Sequence, residues 1–186
     1  MIEVITEAIV LKKEDLGEHD SRVFLFTKDL GRISTKATSL RKITSKLASH
    51  LEPHRRVTVR LVSKKDIFDG RSFQLVDALA IDVPEFKRVG VNKLREALVA
   101  LDFLAGIVPE AVPDFELWNF LNEIIDGTVS ATKKDILKFL GLDPEFANCQ
   151  FCFGSQPEFF YASDNLFVCR SCSLSSQVSK EKFILI

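Results

Sequence analysis

Four cysteines carry the clearest chemistry in this 186-residue chain: Cys149, Cys152, Cys169 and Cys172. They form two Cys-x-x-Cys pairs separated by sixteen residues, and the chain spends no cysteine elsewhere. Each pair sets two thiolates on one tight turn. Two such turns facing each other make the tetrahedral shell that Zn2+ takes in structural sites. Between the pairs, Phe159-Phe160-Tyr161 and Leu166-Phe167-Val168 read as short strands about a Ser163-Asp164-Asn165 turn, which is a zinc-ribbon arrangement. An iron–sulfur cluster is the minor alternative for the same ligands. A hydrolytic zinc needs an open position and usually a histidine or carboxylate ligand. Here four thiolates close the shell, and His19, His50 and His54 lie far away in sequence. The expected role of Zn2+ is therefore structural, replacing a core that so small a module cannot build. Two matched pairs favour metal over thiol exchange. A Gly-rich phosphate loop, Gly-x-Ser-x-Gly and His-Glu-x-x-His are all missing from the sequence, so no catalytic residue is assigned.

The second feature is charge. The net charge of −1 hides an uneven distribution: residues 1–72 hold 15 Lys/Arg and 10 Asp/Glu, whereas residues 73–186 hold 10 and 16. Within 30–65 there are 10 Lys/Arg and one acid, Glu52, a local surplus of +9. Such a surplus can hold a polyanion whatever the total charge; the bland reading is a solvated face. Lys36, Arg41, Lys42, Lys46, Arg55, Arg56 and Arg60 are the expected nucleic-acid contacts. Phe68 and Phe73 are the aromatics near enough to stack bases, so backbone binding with little sequence reading is expected. His19 reads as loop polarity, and His50 and His54 as polar surface or minor phosphate contacts.

These residues need elements to hold them. Ile5–Lys12, Arg22–Thr27, Arg32–Thr38, Arg56–Ser63 and Ser72–Ile81 read as strands. In the third, Ile33, Thr35 and Ala37 alternate against Arg32, Ser34 and Lys36; in the fourth, Val57, Val59 and Leu61 alternate against Arg56, Thr58 and Arg60. Gly31 supplies the positive φ of a tight hairpin. Leu40, Ile43, Leu47 and Leu51 recur at helical spacing, predicting a short amphipathic helix or loosely helical loop that ends at Pro53. Five strands with a helical insert between the third and fourth match the OB-fold barrel. From Pro84 the period changes. Helices are predicted from Asn92 to Ala105, from Pro113-Asp114 to Gly127, and from Thr132, with Asp135 completing a capping box, to Gly141. The fold class is thus α+β: residues 1–81 an N-terminal five-stranded OB-fold barrel, 82–145 a helical middle domain, and 146–186 a C-terminal four-cysteine zinc-ribbon-like module with a tail. No signal-peptide pattern and no run of 18 apolar residues is found, so a cytoplasmic location without membrane contact is expected.

Three stretches resemble the RecO family of bacterial recombination mediators. One is Glu7-Ala8-Ile9-Val10-Leu11 followed by Gly17-Glu18-His19-Asp20, then Phe26-Thr27 and Leu30-Gly31-Arg32. Another is Lys36-Ala37 leading to Arg41-Lys42 and Ser45-Lys46-Leu47, although Thr38-Ser39 stands where the family often has a glycine. The most specific is Phe139-Leu140-Gly141-Leu142-Asp143-Pro144 running into the two cysteine pairs. The resemblance implies a non-enzymatic, nucleoid-associated mediator of recombinational repair. Such a mediator binds single- and double-stranded DNA, anneals complementary strands, pairs with RecR, and contacts the C-terminal tail of single-stranded-DNA-binding protein. It thereby helps RecA load on coated DNA. The family's basic barrel face maps to Lys36, Arg41, Lys42, Lys46 and Arg56. Two departures stand out. Cys152 is followed by Phe153 and only then by Gly154, and the chain runs 14 residues past Cys172 where the family usually continues with further helices. A shortened C-terminus with reduced partner contacts is the corresponding expectation. Two other classes compete with the mediator: an RNA-binding or transcription-associated barrel and ribbon, and an adaptor whose basic face holds an acidic protein.

Overall fold

Alternation of apolar and polar residues builds the first part of the chain. In the computed structural model, which describes residues 2–63, 73–81, 90–175 and 183–186, five strands close into a barrel: β1 (Ile2–Leu16), β2 (Asp20–Thr27), β3 (Gly31–Ala37), β4 (Arg56–Ser63) and β5 (Phe73–Ala80), in the order β1-β2-β3-β5-β4. β1 serves two neighbours. Its first half pairs with β4 (Ile2↔Ser63 to Ile9↔Arg56), and from Ala8 onward it pairs with β2 (Ala8↔Thr27 to Leu16↔Asp20) across an irregularity at Val10/Lys12. An irregularity of this kind increases local twist and lets one long strand turn a barrel corner. The residues predicted to face inward on β3 and β4 do so: Ile33, Ala37, Val57, Val59 and Leu61 join Ala8, Val10, Val23, Leu25, Phe73, Leu75 and Ala78 in the barrel core. This is the expected OB-type barrel.

The β3–β5 closure is the weakest seam. It rests on one parallel pairing, Lys36↔Gln74, and on the buried Thr35 hydroxyl donating to the Phe73 carbonyl at 2.8 Å. The β2–β3 turn is tightly specified. Thr27 Oγ1 donates to the Gly31 carbonyl (2.9 Å) and accepts from the Leu30 amide (3.0 Å). Gly31 has φ +68, and a Cβ there would lie 2.0 Å from the Val112 carbonyl oxygen, so the position excludes a side chain on two counts.

Of the two forms expected for the segment between β3 and β4, the structure has the loose loop rather than the amphipathic helix. Residues 39–50 form successive turns with a break and bends among them, closed by bonds such as Ser45 N to Lys42 O (2.9 Å) and His50 N to Leu47 O (3.1 Å). Leu40 and Leu51 are buried and plug the barrel, but Ile43 is fully exposed, so the helical spacing does not describe one face. Thr38, Ser39, Thr44, Ser45 and Ser49 explain this. Their hydroxyls compete for the backbone, and the two threonines and Ile43 are β-branched.

Three helices follow: α1 (Val91–Ile107), α2 (Phe115–Ile125) and α3 (Lys133–Phe139). α1 starts one residue before the predicted Asn92 cap, with Gly90 as N-cap and no side-chain cap bond. It packs on β1. α2 begins as predicted, with Asp114 accepting the Leu117 amide at 2.9 Å. The Thr132–Asp135 capping box on α3 is formed in both directions.

By compactness the chain divides into Met1–Ser130 and Ala131–Ile186. α1 and α2 thus belong with the barrel and α3 with the cysteine pairs, a partition different from the compositional one at 81 and 145. In the second unit, β6 (Phe159–Tyr161) pairs with β7 (Leu166–Val168) as expected. A helix α4 (Arg170–Ser175) and a third strand β8 (Phe183–Leu185), which pairs with the other edge of β6, were not foreseen.

Gly31→Ala combines the positive-φ penalty with the clash against Val112. It is expected to destabilise the protein by about 2 kcal/mol or more. Thermal unfolding read by circular dichroism should show the midpoint falling by at least about 4 °C. An unchanged midpoint would mean that residues 112–113 can retreat freely.

Candidate nucleic-acid interface and cysteine centre

The seven basic candidates separate into groups with different partners. Lys36 faces outward on β3 and its ammonium lies 2.7 Å from Asp20. That ammonium and the Ser39 amide hold the Asp20 carboxyl below its usual range. Arg41 pins the 39–51 connection to the β1–β2 turn. Its backbone amide donates to His19 O (2.9 Å), and its guanidinium donates to Gly17 O (3.0 Å) and lies 3.4 Å from Asp15. Lys42 and Lys46 are exposed and make no ion pair among the described residues.

On β4 the situation is reversed. Arg60 makes a two-point contact with Glu3 (2.6 and 3.3 Å). Arg56 is only 21% exposed and is spent on α2: it donates to Asn122 Oδ1 (2.6 Å) and Asn122 O (3.3 Å), and it lies 2.6 Å from Asp126. Arg55 is half-buried, with its Nε enclosed and lacking a hydrogen-bond partner among the described residues. β5 lies between β3 and β4. The structure therefore brings Lys36 together with the cations of the connection, while Arg56 and Arg60 sit on the β4 side.

Two of the three histidines, His50 and His54, are part of the scaffold. His50 Nδ1 accepts the Ala80 amide at 3.2 Å. His54 is half-buried at φ +70, and burial lowers its pKa from the ordinary value. His19 is exposed on the β1–β2 turn. Of the expected stacking rings, Phe73 is 4% exposed and belongs to the core, and Phe68 lies outside the described residues. Sequence reasoning passed over Arg22 and Phe24. The signal was available: with Val23 and Leu25 inward, the alternation of β2 sends both residues outward.

The cysteine centre assembles as the spacing demands. All four Sγ atoms lie within 4.8 Å of one another, and Cys152 and Cys169 are 3.7 Å apart. A metal–sulfur bond of about 2.3 Å implies tetrahedral S–S edges of about 3.8 Å, so the cluster could hold a metal ion. Its turns are closed by Phe153 N to Cys149 O and Cys149 N to Gly154 O, both 2.8 Å, and by Ser173 N to Cys169 O at 3.0 Å. The Ser171 hydroxyl and the Cys172 amide draw the Cys169 thiol down to about 6, while Cys169 and Cys152 push Cys172 up. Four thiols this close cannot all ionise without a cation among them.

Fold and site together define an OB-barrel protein with a four-cysteine cluster, and no helix among the described residues is long and apolar enough to cross a membrane. The family described as "Recombination protein O N terminal" matches residues 1–78. A DNA repair protein RecO of Thermodesulfovibrio yellowstonii is 31% identical over 183 residues, covering 94% of this chain and 72% of the relative. Those of Myxococcus xanthus (26%, covering 93% and 74%) and Caldanaerobacter subterraneus (23%, covering 94% and 73%) align over similar shares. The chain belongs to the RecO family, a family of DNA repair mediators rather than catalysts.

Arg56 is expected to act as a brace. Arg56→Lys cannot reproduce the fork that reaches Asn122 and Asp126 together. It should lower the melting midpoint by a few degrees, with a loss of about 1 kcal/mol, while changing DNA affinity less than about twofold. A large affinity loss at unchanged stability would reverse that assignment.

Proposed function

We propose that this protein is a recombination mediator that binds single- and double-stranded DNA through the basic connection of its barrel. It anneals complementary strands and helps RecA load on DNA coated by single-stranded-DNA-binding protein. RecR and the C-terminal tail of that coating protein are the proposed partners, and the nucleoid the proposed location. Membership in the RecO family, aligned over 94% of the chain, carries the reading. The disposition of cations supports it. Lys42 and Lys46 stand exposed without counterions among the described residues, beside Arg41 and Lys36. Arg55 and Arg60 flank this surface through their field, and Arg56 adds charge while its guanidinium stays bound to α2. Exposed ammonium and guanidinium groups of this kind track phosphates and release counterions on binding.

The four cysteines are proposed to hold one structural Zn2+. Thiolate softness and a closed four-sulfur shell suit that ion, and its role is to fix the two turns.

Two tests follow. Converting Arg41, Lys42 and Lys46 together to Ala should weaken single-stranded DNA binding and reduce the slope of log affinity against log salt by about 2, roughly 0.7 per lost phosphate contact. An unchanged slope would remove them from the interface. Cys149→Ser should lose zinc, read by elemental analysis of purified protein, and loosen the Ala131–Ile186 unit. Full zinc content with an unchanged melting profile would dismiss the four-cysteine assignment.

A further inference from the structure

We propose that the outer face of the β2–β3 hairpin is a subsite for one unpaired nucleobase. Phe24 is the stacking platform, and Arg22 and Lys36 hold the adjoining phosphate. The proposal rests on the DNA-binding reading above and deepens it, naming single-stranded DNA as the ligand of this face.

The register orders the parts. Along the ladder, Arg22 pairs with Lys36, then Phe24 with Ser34, then Phe26 with Arg32. Two-residue steps separate these pairs by about 7 Å. A groove of about 440 Å3 runs over the first two of these pairs, with Leu16 and Phe24 among its apolar lining and Glu110 also on its wall. A volume of this order suits a small ligand or a single nucleotide unit.

Three observations favour a ligand over plain surface. First, Phe24 points outward between Val23 and Leu25, which are fully buried in the core, yet it is only half-covered; Phe26, two residues on, is fully buried. The ring thus presents apolar surface to the groove opposite a serine. Second, Arg22 and Lys36 are like charges directly opposite each other, an arrangement that costs stability. Asp20 answers Lys36, and Glu14, opposite Arg22 on β1, is 3.1 Å from Lys12; Arg22 itself makes no ion pair among the described residues. Third, the uncompensated charge lies at one end. Arg22 makes no ion pair among the described residues, whereas at the other end Glu110 lies 3.3 Å from Arg32 and the two charges offset each other. A phosphodiester is drawn to the Arg22–Lys36 end, so the backbone runs over Arg22 and Lys36 while the base turns in onto Phe24. A paired base has no free face to offer, so duplex DNA gains nothing from the ring.

The test uses the full chain and fluorescence anisotropy with three labelled probes: an oligothymidylate, the same oligomer carrying abasic sites throughout, and a hairpin duplex. Phe24→Leu keeps apolar bulk and removes the π face; Phe24→Tyr restores it. Phe24→Leu should weaken oligothymidylate binding about fivefold or more, the low end of one lost base stack. Its affinity for the abasic oligomer and the duplex should stay within about twofold of the unmodified protein, and Phe24→Tyr should bind like the unmodified protein. Equal oligothymidylate affinity for Phe24→Leu overturns the subsite, as does an equal loss on all three probes. In either case salt-sensitive binding by the unmodified protein leaves the DNA-binding reading standing. Failure of the unmodified protein to bind any of the probes at low salt overturns both.

Discussion

The middle of β1 is apolar on both faces, and most of the first unit follows from that. Ala8, Ile9, Val10 and Leu11 are consecutive and all buried. A strand cannot turn four successive side chains to one side, so Ala8 and Val10 require a barrel interior while Ile9 and Leu11 require cover from outside. Closing the barrel satisfies the first pair. α1 packs on β1 on behalf of the second, and Phe26, opposite Ile9 on β2, is buried on that same face. Burial of side chains of this size is worth about 1.5–3 kcal/mol each, more than any of the surface ion pairs contributes. The polar contacts at this junction, Lys12 to Asp102 at 3.0 Å and Arg32 to the Ala105 carbonyl at 3.0 Å, therefore set the position of α1 rather than drive its docking.

This constraint also sorts the basic residues. A cation near a helix that must be held becomes a brace, and one on a segment with nothing to hold remains exposed. Arg32 and Arg56 reach the C-terminal end of α1 and the last turn of α2, where unsatisfied carbonyls and acidic side chains receive a guanidinium well. Lys42 and Lys46 project from turns that pack on the barrel core through Leu40, Leu47, Ala48 and Leu51. Among these four residues the two arginines are braces and the two lysines exposed charges. That division matches their chemistry: a rigid fork suits several fixed acceptors, while a flexible ammonium suits a solvated anion.

This explains what the sequence revealed and what it hid. Strand alternation, the Gly31 turn, the Asp114 and Thr132 caps and the facing cysteine pairs are local signals, decided within a few residues, and each is found where it was read. Of the helix and the loosely helical loop expected for 39–51, the chain takes the loop because its leucines pack into the barrel core, an arrangement whose spacing is set by the barrel rather than by a helix. Arg56 gives no local sign that its partners lie 66 and 70 residues away at Asn122 and Asp126. α4 and β8 are three to six residues long, too short for periodicity to register, and β8 forms only because β6 offers it an edge. Phe73, one of two candidate stacking rings by its place in the chain, instead lies in the core at the β3–β5 seam.

The same sorting bears on what kind of DNA ligand the barrel can serve. With Arg32 and Arg56 committed to helices and Arg60 to Glu3, the cations left for phosphate among the described residues are few, and Lys36 shares its charge with Asp20. Three or four phosphate contacts at about 0.7 counterions each give an affinity that falls steeply between low and physiological salt. On the proposed reading, a surface of that strength would hold a strand briefly and without reading its sequence, which is what annealing requires. A protein that grips each strand through many fixed contacts would protect it from its complement, whereas one that neutralises a few phosphates lowers the repulsion between two strands and then lets the duplex leave.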